Sequence, residues 1–333
     1  MKYQPDQDTK NLKDGKLLPI LADLEQYRQE LGDGSKTIRG LQTGFTEVDD
    51  LISGLDRFVL LAGRSGAGKT TLATQLALGV ADTSPVLFYS LEMGKNELIT
   101  MMLQVLAKGL YRNDIELRGN DPELPAETKA KLDNAYKRLL ELAPNIYIKD
   151  ATTGIPAIAN PKDANSIYNA VEALKAKHKA ERVLVVVDSV QDIIPLTQNQ
   201  IQAEIQTVQE LTEVQQKTGS TVLVTAQKNK GSIKTEDSYG DVMGSMSFIH
   251  KPNTVIEIIT PKELLAKSKD TKQAQEIEDN IEADAKEGYA KPMYLNIIKG
   301  RYTGQGAIPL QFYGAYGYYE AGKTKRYNGV YTK

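Results

Sequence analysis

"GRSGAGKTT" spans residues 63–71, and its reading decides the fold. Gly63, Gly66, Gly68, Lys69 and Thr70 stand at the spacing of a phosphate-binding loop. An apolar run ending in glycine, "FVLLAG" (58–63), precedes it, and a helical pattern, "KTTLATQLALGVA" (69–81), follows. That strand–loop–helix context separates a working loop from a chance match. The glycines let backbone N–H groups turn inward onto phosphates, and the helix N-terminus adds the positive end of its dipole. The expected ATP contacts are Gly63, Arg64, Ser65, Gly66, Ala67, Gly68, Lys69, Thr70 and Thr71. Lys69 should reach the β- and γ-phosphates, and the Thr70 hydroxyl should bind Mg²⁺.

Outward from the loop, strands and helices alternate. "VLFYS" (86–90) reads as a second strand, with a helical region after it to about Leu110. "RVLVVVD" (182–188) is a continuous β-branched run, as expected of a strand buried on both faces. Ile201, Ile205, Val208, Leu211 and Val214 then recur at helical spacing. "STVLVTAQ" (220–227) is the next buried strand. "TVIEIIT" (254–260) and "MYLNIIKG" (293–300) are two more, and they flank a highly charged excursion at about 262–290 that reads as solvated helix or disorder. This alternation predicts an α/β fold with a mostly parallel sheet. Residues 1–16 are polar. In "LLPILADLEQYRQEL" (17–31), Leu17, Leu21, Leu24, Tyr27 and Leu31 recur at helical spacing: a helix packed on its own core, or one exported to a neighbouring subunit. "GDGS" follows as a hinge.

Composition narrows the class. The chain has 333 residues, 41% of them hydrophobic and 25% charged, which is ordinary for a globular protein of one large domain or two modest ones. A net charge of −2 means that any nucleic-acid contact comes from a local basic patch. With no Cys there are no disulfides or thiolate metal sites, and His178 and His250 lie far apart in sequence. There is no apolar run of membrane length and no signal-peptide pattern, which points to a cytoplasmic protein, whether cellular, viral or plasmid-encoded.

Three further residues belong with the loop. Asp188 ends the "VVV" run, where a carboxylate beside a phosphate loop is the expected second magnesium partner; otherwise it caps the helix that follows. Glu92 lies just past "VLFYS", and ligands of open α/β sheets sit beyond the carboxyl ends of strands. If that strand neighbours the loop's strand, Glu92 can polarise an attacking water. Gln227 ends its strand and either senses the γ-phosphate or serves only as a strand-end hydrogen bonder.

These motifs, in this order, resemble the RecA-like motor domain of DnaB-type replicative helicases, from about residue 37 to 313. "LQTGFTEVDDLISGL" (41–55) is similar to that family's opening segment, and "SLEM" (90–93) to the segment with its catalytic glutamate. "VLVVVDSVQDI" (183–193) resembles its Walker B motif with a trailing glutamine, here Gln191. "TAQKNKG" (225–231) resembles the sensor-glutamine segment. "IIKGRYTGQGAIPLQF" (297–312) is similar to the last motif, where a Lys and an Arg reach the ATP of the next subunit, here Lys299 and Arg301. The resemblance implies a linker helix within residues 1–35 and a RecA-like P-loop ATPase domain over 36–333, without the family's N-terminal helical domain. It also implies ATP and Mg²⁺ as cofactors, a homo-oligomer (a hexamer), single-stranded DNA, and a helicase loader or primase as further partners. The family's DNA loops map to 192–203 and 228–247, which gives Lys228, Lys230, Lys234, Ser245 and Ser247 as expected DNA contacts. The family's Arg-Glu pair in the second loop is here Met243 and Gly244, and the 262–290 excursion is longer than the family's. The Tyr-rich "QFYGAYGYY" (311–319) invites base stacking, but alternating aromatic and small residues more often form a hairpin on a sheet edge.

Three functions therefore remain open at the level of sequence. The leading one is a ring-forming, ATP-driven DNA translocase or 5′→3′ helicase. The others are a RecA- or RadA-like filament-forming recombinase and a KaiC-like nucleotide-driven switch.

Overall fold

The structure, a computed structural model, describes residues 38–327 apart from 155, 196–198, 229–249, 267–270 and 302–303, together with Ile20, Leu24, Tyr27, Arg28 and Val330. The chain divides into two compact units, Met1–Arg39 and Gly40–Lys333. In the first, Leu24 donates its N–H to the Ile20 carbonyl (3.2 Å), Leu24, Tyr27 and Arg28 are helical, and the Ile20, Leu24 and Tyr27 side chains are exposed. Leu17, Leu21 and Leu31 lie outside the described residues.

The second unit opens with helix α1 (Thr46–Ile52) and strand β1 (Phe58–Gly63), followed by α2 (Lys69–Val80) and β2 (Val86–Ser90). Helices α3 (Lys95–Ala107), α4 (Arg112–Glu116) and α5 (Ala126–Leu142) lead to β3 (Ile146–Asp150). Then come α6 (Ile167–His178), β4 (Leu184–Asp188), α7 (Gln200–Thr218) and β5 (Thr221–Gln227). The chain closes with β6 (Thr254–Ile259), α8 (Pro261–Leu265), α9 (Thr271–Lys286), β7 (Lys291–Gly300), β8 (Gly306–Tyr313) and β9 (Tyr318–Ala321). Among the described residues these strands form one sheet in the order β3-β2-β4-β5-β1-β6-β7-β8-β9. The first six are parallel and the last three are added antiparallel. The strands expected from the sequence are all present within a residue or two of their expected ends; β3, a half-buried edge strand without a strong apolar run, is one the sequence pattern does not show.

Continuous apolar runs make the middle of this sheet because both of its faces are covered. Along β1, Val59 and Leu61 pack into one core while Phe58, Leu60 and Ala62 pack into the other. Along β4, Leu184 and Val186 share the first core, and Val185 and Val187 the second. Side chains alternate across a strand, so a strand with an apolar residue at every position has no solvent face. Helix α2 is held close to the opening segment: a Cβ at Gly79 would lie 1.5 Å from the Thr43 carbonyl oxygen, and Asp49 fixes that segment by accepting from the Thr43 N–H (3.0 Å) and hydroxyl (2.9 Å).

The charged excursion is helical, as α8 and α9, but it is not wholly solvated. Ile281 is buried, and Asp284 accepts from Arg326 (3.0 Å to Nη2). At its start, the Thr260 N–H donates to Glu263 (2.9 Å), which caps α8. Glu263 in turn meets Arg64 of the phosphate loop (2.9 Å) and Lys228 (3.5 Å), while Lys228 is also ion-paired with Glu257 on β6. Burial works against the Glu263 carboxylate, yet the Thr260 N–H and hydroxyl, with Lys228 and Arg64, hold its carboxyl below the usual range.

This network corrects the expectation that Lys228 contacts DNA. Its side chain is 7% exposed and enclosed by two carboxylates, and its backbone N–H donates to the Gly63 carbonyl (3.1 Å). An ammonium so placed balances buried charge and has no surface from which to follow a phosphate chain. Lys228→Ala strands Glu257 and Glu263, and the expected cost is about 3–5 kcal/mol of stability. The double change Lys228→Met with Glu257→Leu removes both charges of the pair and should recover most of that loss. Urea unfolding of the two variants checks this; a single variant as stable as the parent contradicts it.

Candidate nucleotide site

β1 ends at Gly63, the chain turns through residues 64–68, and α2 starts at Lys69. Gly66 and Gly68 have φ of +74° and +76°, a region that L side chains rarely adopt. This puts the free N–H groups of the first turn of α2 at the mouth of the loop. Lys69 folds back over the loop, and its Nζ donates to the Arg64 carbonyl at 3.0 Å. Burial lowers the Lys69 pKa, with Glu92 and Asp188 pulling it back up. The ammonium thus rests on a carbonyl of its own loop and feels both of the carboxylates that the sequence singled out.

Asp188 is 2% exposed at the end of β4. Its Oδ1 accepts from the Thr225 hydroxyl at 2.5 Å, and the Thr70 hydroxyl also donates to it. Its Oδ2 is buried and has no partner among the described residues. Burial raises its pKa against the pull of these hydroxyls and of Lys69. The alternative role, capping the following turn, falls to Ser189, whose hydroxyl bonds Asp192 at 2.5 Å and whose N–H donates to the same carboxylate at 3.2 Å. A buried carboxylate oxygen without a donor among the described residues, beside the hydroxyl that follows the loop lysine, fits the chemistry of a divalent cation, which prefers oxygen donors.

Glu92 arrives by a different route from the one expected. β2 does not neighbour β1, because β4 and β5 stand between them. It neighbours β4 instead, with Ser90 opposite Asp188, and the Leu91 N–H donates to the Asp188 carbonyl at 2.8 Å. Ser90 Oγ donates to the Met93 carbonyl (2.8 Å) and tightens the turn. Glu92 is therefore carried to the site by Asp188, near enough to act on the charges of both Asp188 and Lys69. Gln227 ends β5, between the two site strands and in register with Gly63, and is exposed there. Gln191 has both amide atoms buried without a partner among the described residues.

Lys299 and Arg301 do not join this group. Both donate to the His250 carbonyl, at 2.6 and 2.9 Å, so they share one side of the strand as their spacing requires. Gly300, between them, pairs with Thr254, which pairs with Val59, four residues before Gly63. At about 3.3 Å per residue that offsets them roughly 13 Å along the strand direction from the chain's own loop, toward the opposite ends of the parallel strands. Burial, with a smaller contribution from Arg301, lowers the Lys299 pKa to about 8. Lys230, Lys234, Ser245 and Ser247, with Met243 and Gly244, lie outside the described residues. The Tyr-rich tail is a hairpin: β8 and β9 pair antiparallel, and Tyr313 stacks on Tyr318 with centroids 4.6 Å apart.

Sequence reading did not find Thr225 or the Arg64–Glu263 pair. Thr225 was legible only as the polar break two residues before Gln227, and Glu263 lies in a segment whose charge argues for solvent.

Comparison with known proteins agrees with this geometry. The family model for the DnaB-like helicase C-terminal domain matches residues 40–321. The replicative helicase DnaC of Bacillus subtilis is 36% identical over 149 residues, 44% of this chain and 30% of that protein. The replicative helicase DnaB of Leifsonia xyli subsp. xyli is 40% identical over 93 residues, 24% of this chain and 20% of that protein. The matched stretches thus span less than a third of these relatives' own length. In fold, the ATPase domain of G40P superposes with a TM-score of 0.71 at 22% identity, covering 91% of this chain and 99% of that one. A KaiC-like protein from Pyrococcus horikoshii reaches 0.51 at 16% identity over 85% of this chain and 99% of that one. With the phosphate loop, its buried aspartate and the RecA-like sheet in place over the matched span, the chain belongs to the DnaB-like helicase C-terminal domain family.

Proposed function

We propose that this chain is an ATP-hydrolysing motor that works as a ring of identical subunits and moves along single-stranded DNA, in the manner of a replicative helicase. The observation that carries the reading is the split of the cationic groups. Lys69 stands with Asp188 and Glu92 at the carboxyl edge of the sheet, while Lys299 and Arg301 point the other way. A second copy that turns its Lys299 and Arg301 toward this loop completes the charge complement that phosphoryl transfer needs. Hydrolysis then depends on the subunit interface, which is what lets ATP drive movement between subunits.

Within the site the roles follow from position. Lys69 exchanges the Arg64 carbonyl for the β- and γ-phosphates, and the backbone N–H groups of 64–70 hold the phosphate oxygens. The Thr70 hydroxyl and Asp188 Oδ2 would hold Mg²⁺, which when bound neutralises charge on the phosphates. Glu92 accepts the proton of the attacking water, and Gln227 sits where it can register the γ-phosphate. Residues 1–35 supply a linker helix and 36–333 the motor. Lys230, Lys234, Ser245 and Ser247 are the DNA contacts, and their ammonium and hydroxyl groups suit a phosphate chain better than base edges. A structure of a DnaB-like replicative helicase is described with its primase interactions, and a primase or loader is a candidate partner here too, in a cytoplasmic setting.

Three measurements test this. ATP turnover should rise severalfold on adding single-stranded DNA, and the effect should weaken with salt as phosphate contacts are released; turnover indifferent to DNA would point instead to a nucleotide-driven switch. Mixing two inactive variants, Lys69→Ala and Arg301→Ala, should restore part of the ATPase, because some mixed interfaces join an intact loop to an intact arginine. Exchange of subunits with no return of activity sinks the interface assignment. Finally, Lys299 is charged below about pH 8 and neutral above it, so kcat/KM should fall as pH rises through that value. Lys299→Arg keeps its charge across this range and should remove that limb; a profile unchanged in the variant assigns the titration elsewhere.

A further inference from the structure

The phosphate loop is gripped from behind by the C-terminal hairpin. Tyr319 on β9 is 1% exposed, and its hydroxyl donates to the Ala67 carbonyl at 2.5 Å. Its ring stacks on Phe312 of β8 with centroids 4.5 Å apart and planes 21° from parallel. Its backbone is tied to α2 in both directions: the Tyr319 N–H donates to Gln75 Oε1 and Gln75 Nε2 donates to the Tyr319 carbonyl, each at 2.9 Å. The fit against the loop is close, since a Cβ at Gly68 would lie 2.5 Å from the Tyr319 hydroxyl and 2.9 Å from the Phe312 ring. With ring, backbone and hydroxyl all fixed, Tyr319 has little freedom to do anything but hold Ala67.

We propose that Tyr319 is a positioning residue for polyphosphate binding: its hydroxyl holds the Ala67 carbonyl outward and so keeps the Gly68 N–H turned into the loop. The reasoning is geometric. The peptide between Ala67 and Gly68 is trans, so its C=O and N–H point in opposite directions from one plane. Whatever fixes the carbonyl against the hairpin fixes the N–H on the other side, where the first-turn donors of α2 gather. Without the hydroxyl, a buried carbonyl lacks its donor, and flanking glycine geometry at 66 and 68 leaves the peptide free to turn. A turned peptide presents a carbonyl oxygen, in place of an N–H, to an anion. The contact reaches across 252 positions of sequence, so the hairpin must dock before the cradle takes its binding shape.

This inference rests on the reading of the loop as a nucleotide site, and the test separates the two. Binding of ATP, ADP and inorganic triphosphate to the full chain is measured by calorimetry for the parent and for Tyr319→Phe, which keeps the ring and its stack and removes only the hydroxyl. All three ligands should weaken by a common factor of about fivefold to tenfold, as loss of one hydrogen bond implies. KM for ATP should rise while kcat at saturation stays within about twofold. A loss confined to ATP and ADP, or affinities equal to the parent's for all three, overturns the proposal. Should Tyr319→Phe fold poorly, Gln75→Leu, which releases the Tyr319 backbone and leaves the loop untouched, should shift the same affinities in the same direction by a smaller factor; no shift there overturns it as well. A parent chain that binds none of the three ligands removes the nucleotide reading itself, and the role of Tyr319 with it.

Discussion

The structure turns on a single buried carboxylate. Asp188 lies at the end of a strand with no exposed residue, and one of its oxygens has no donor among the described residues. Such a group is costly to bury, and it is tolerated because three elements converge on it. β5 supplies the Thr225 hydroxyl, α2 supplies the Thr70 hydroxyl and the Lys69 charge, and the turn after β2 donates the Leu91 N–H to its carbonyl. These groups meet only if β2, β4 and β5 are in register and α2 starts where it does. The hydroxyls and Lys69 offset only part of the desolvation, so the carboxyl stays above its ordinary range. The oxygen left without a donor among the described residues is the one to which the proposed mechanism gives Mg²⁺.

The sheet's topology decides which groups can meet. Six parallel strands deliver all their carboxyl ends, and the loops that follow them, to one edge. β7 is added antiparallel, so its end returns to the other edge and carries Lys299 and Arg301 there. Their shared contact with the His250 carbonyl follows from that direction. The same reversal separates these two cations from the chain's own phosphate loop.

Late parts of the chain brace the loop on two sides. On one, Glu263 joins Arg64 to Lys228 and, through Lys228, to Glu257; on the other, the hairpin of β8 and β9 packs Phe312 and Tyr319 against Gly68. The loop motif specifies a conformation that glycine makes possible, but glycine also makes others possible. The braces select among them. An ion network this deeply buried contributes little net stability when intact and costs much when broken, so its value here lies in fixing where Arg64 and the root of β5 sit.

The sequence by itself determined the parallel core and most of the side chains that gather around the phosphate loop. Runs such as "FVLLAG" and "LVVVD" have no polar face, so they must lie between two layers, and a lysine and threonine after a glycine-rich turn have few other uses. It also placed Lys299 and Arg301 on one side of a strand, from period-two spacing alone. Tertiary structure decided what spacing cannot express. Strand order is one such matter: Glu92 reaches the site through Asp188, although its strand lies two away from the loop's. Burial is another. Lys228 sits in a loop-like, lysine-rich stretch that reads as solvated, and only the approach of Glu257 and Glu263 from elsewhere in the chain turns it inward. Thr225, Glu263 and Tyr319 carry no local signal for the same reason: each acts through a partner 37, 199 or 252 residues away, and a sequence pattern records period and composition, while contact across such distances is set by how the layers pack.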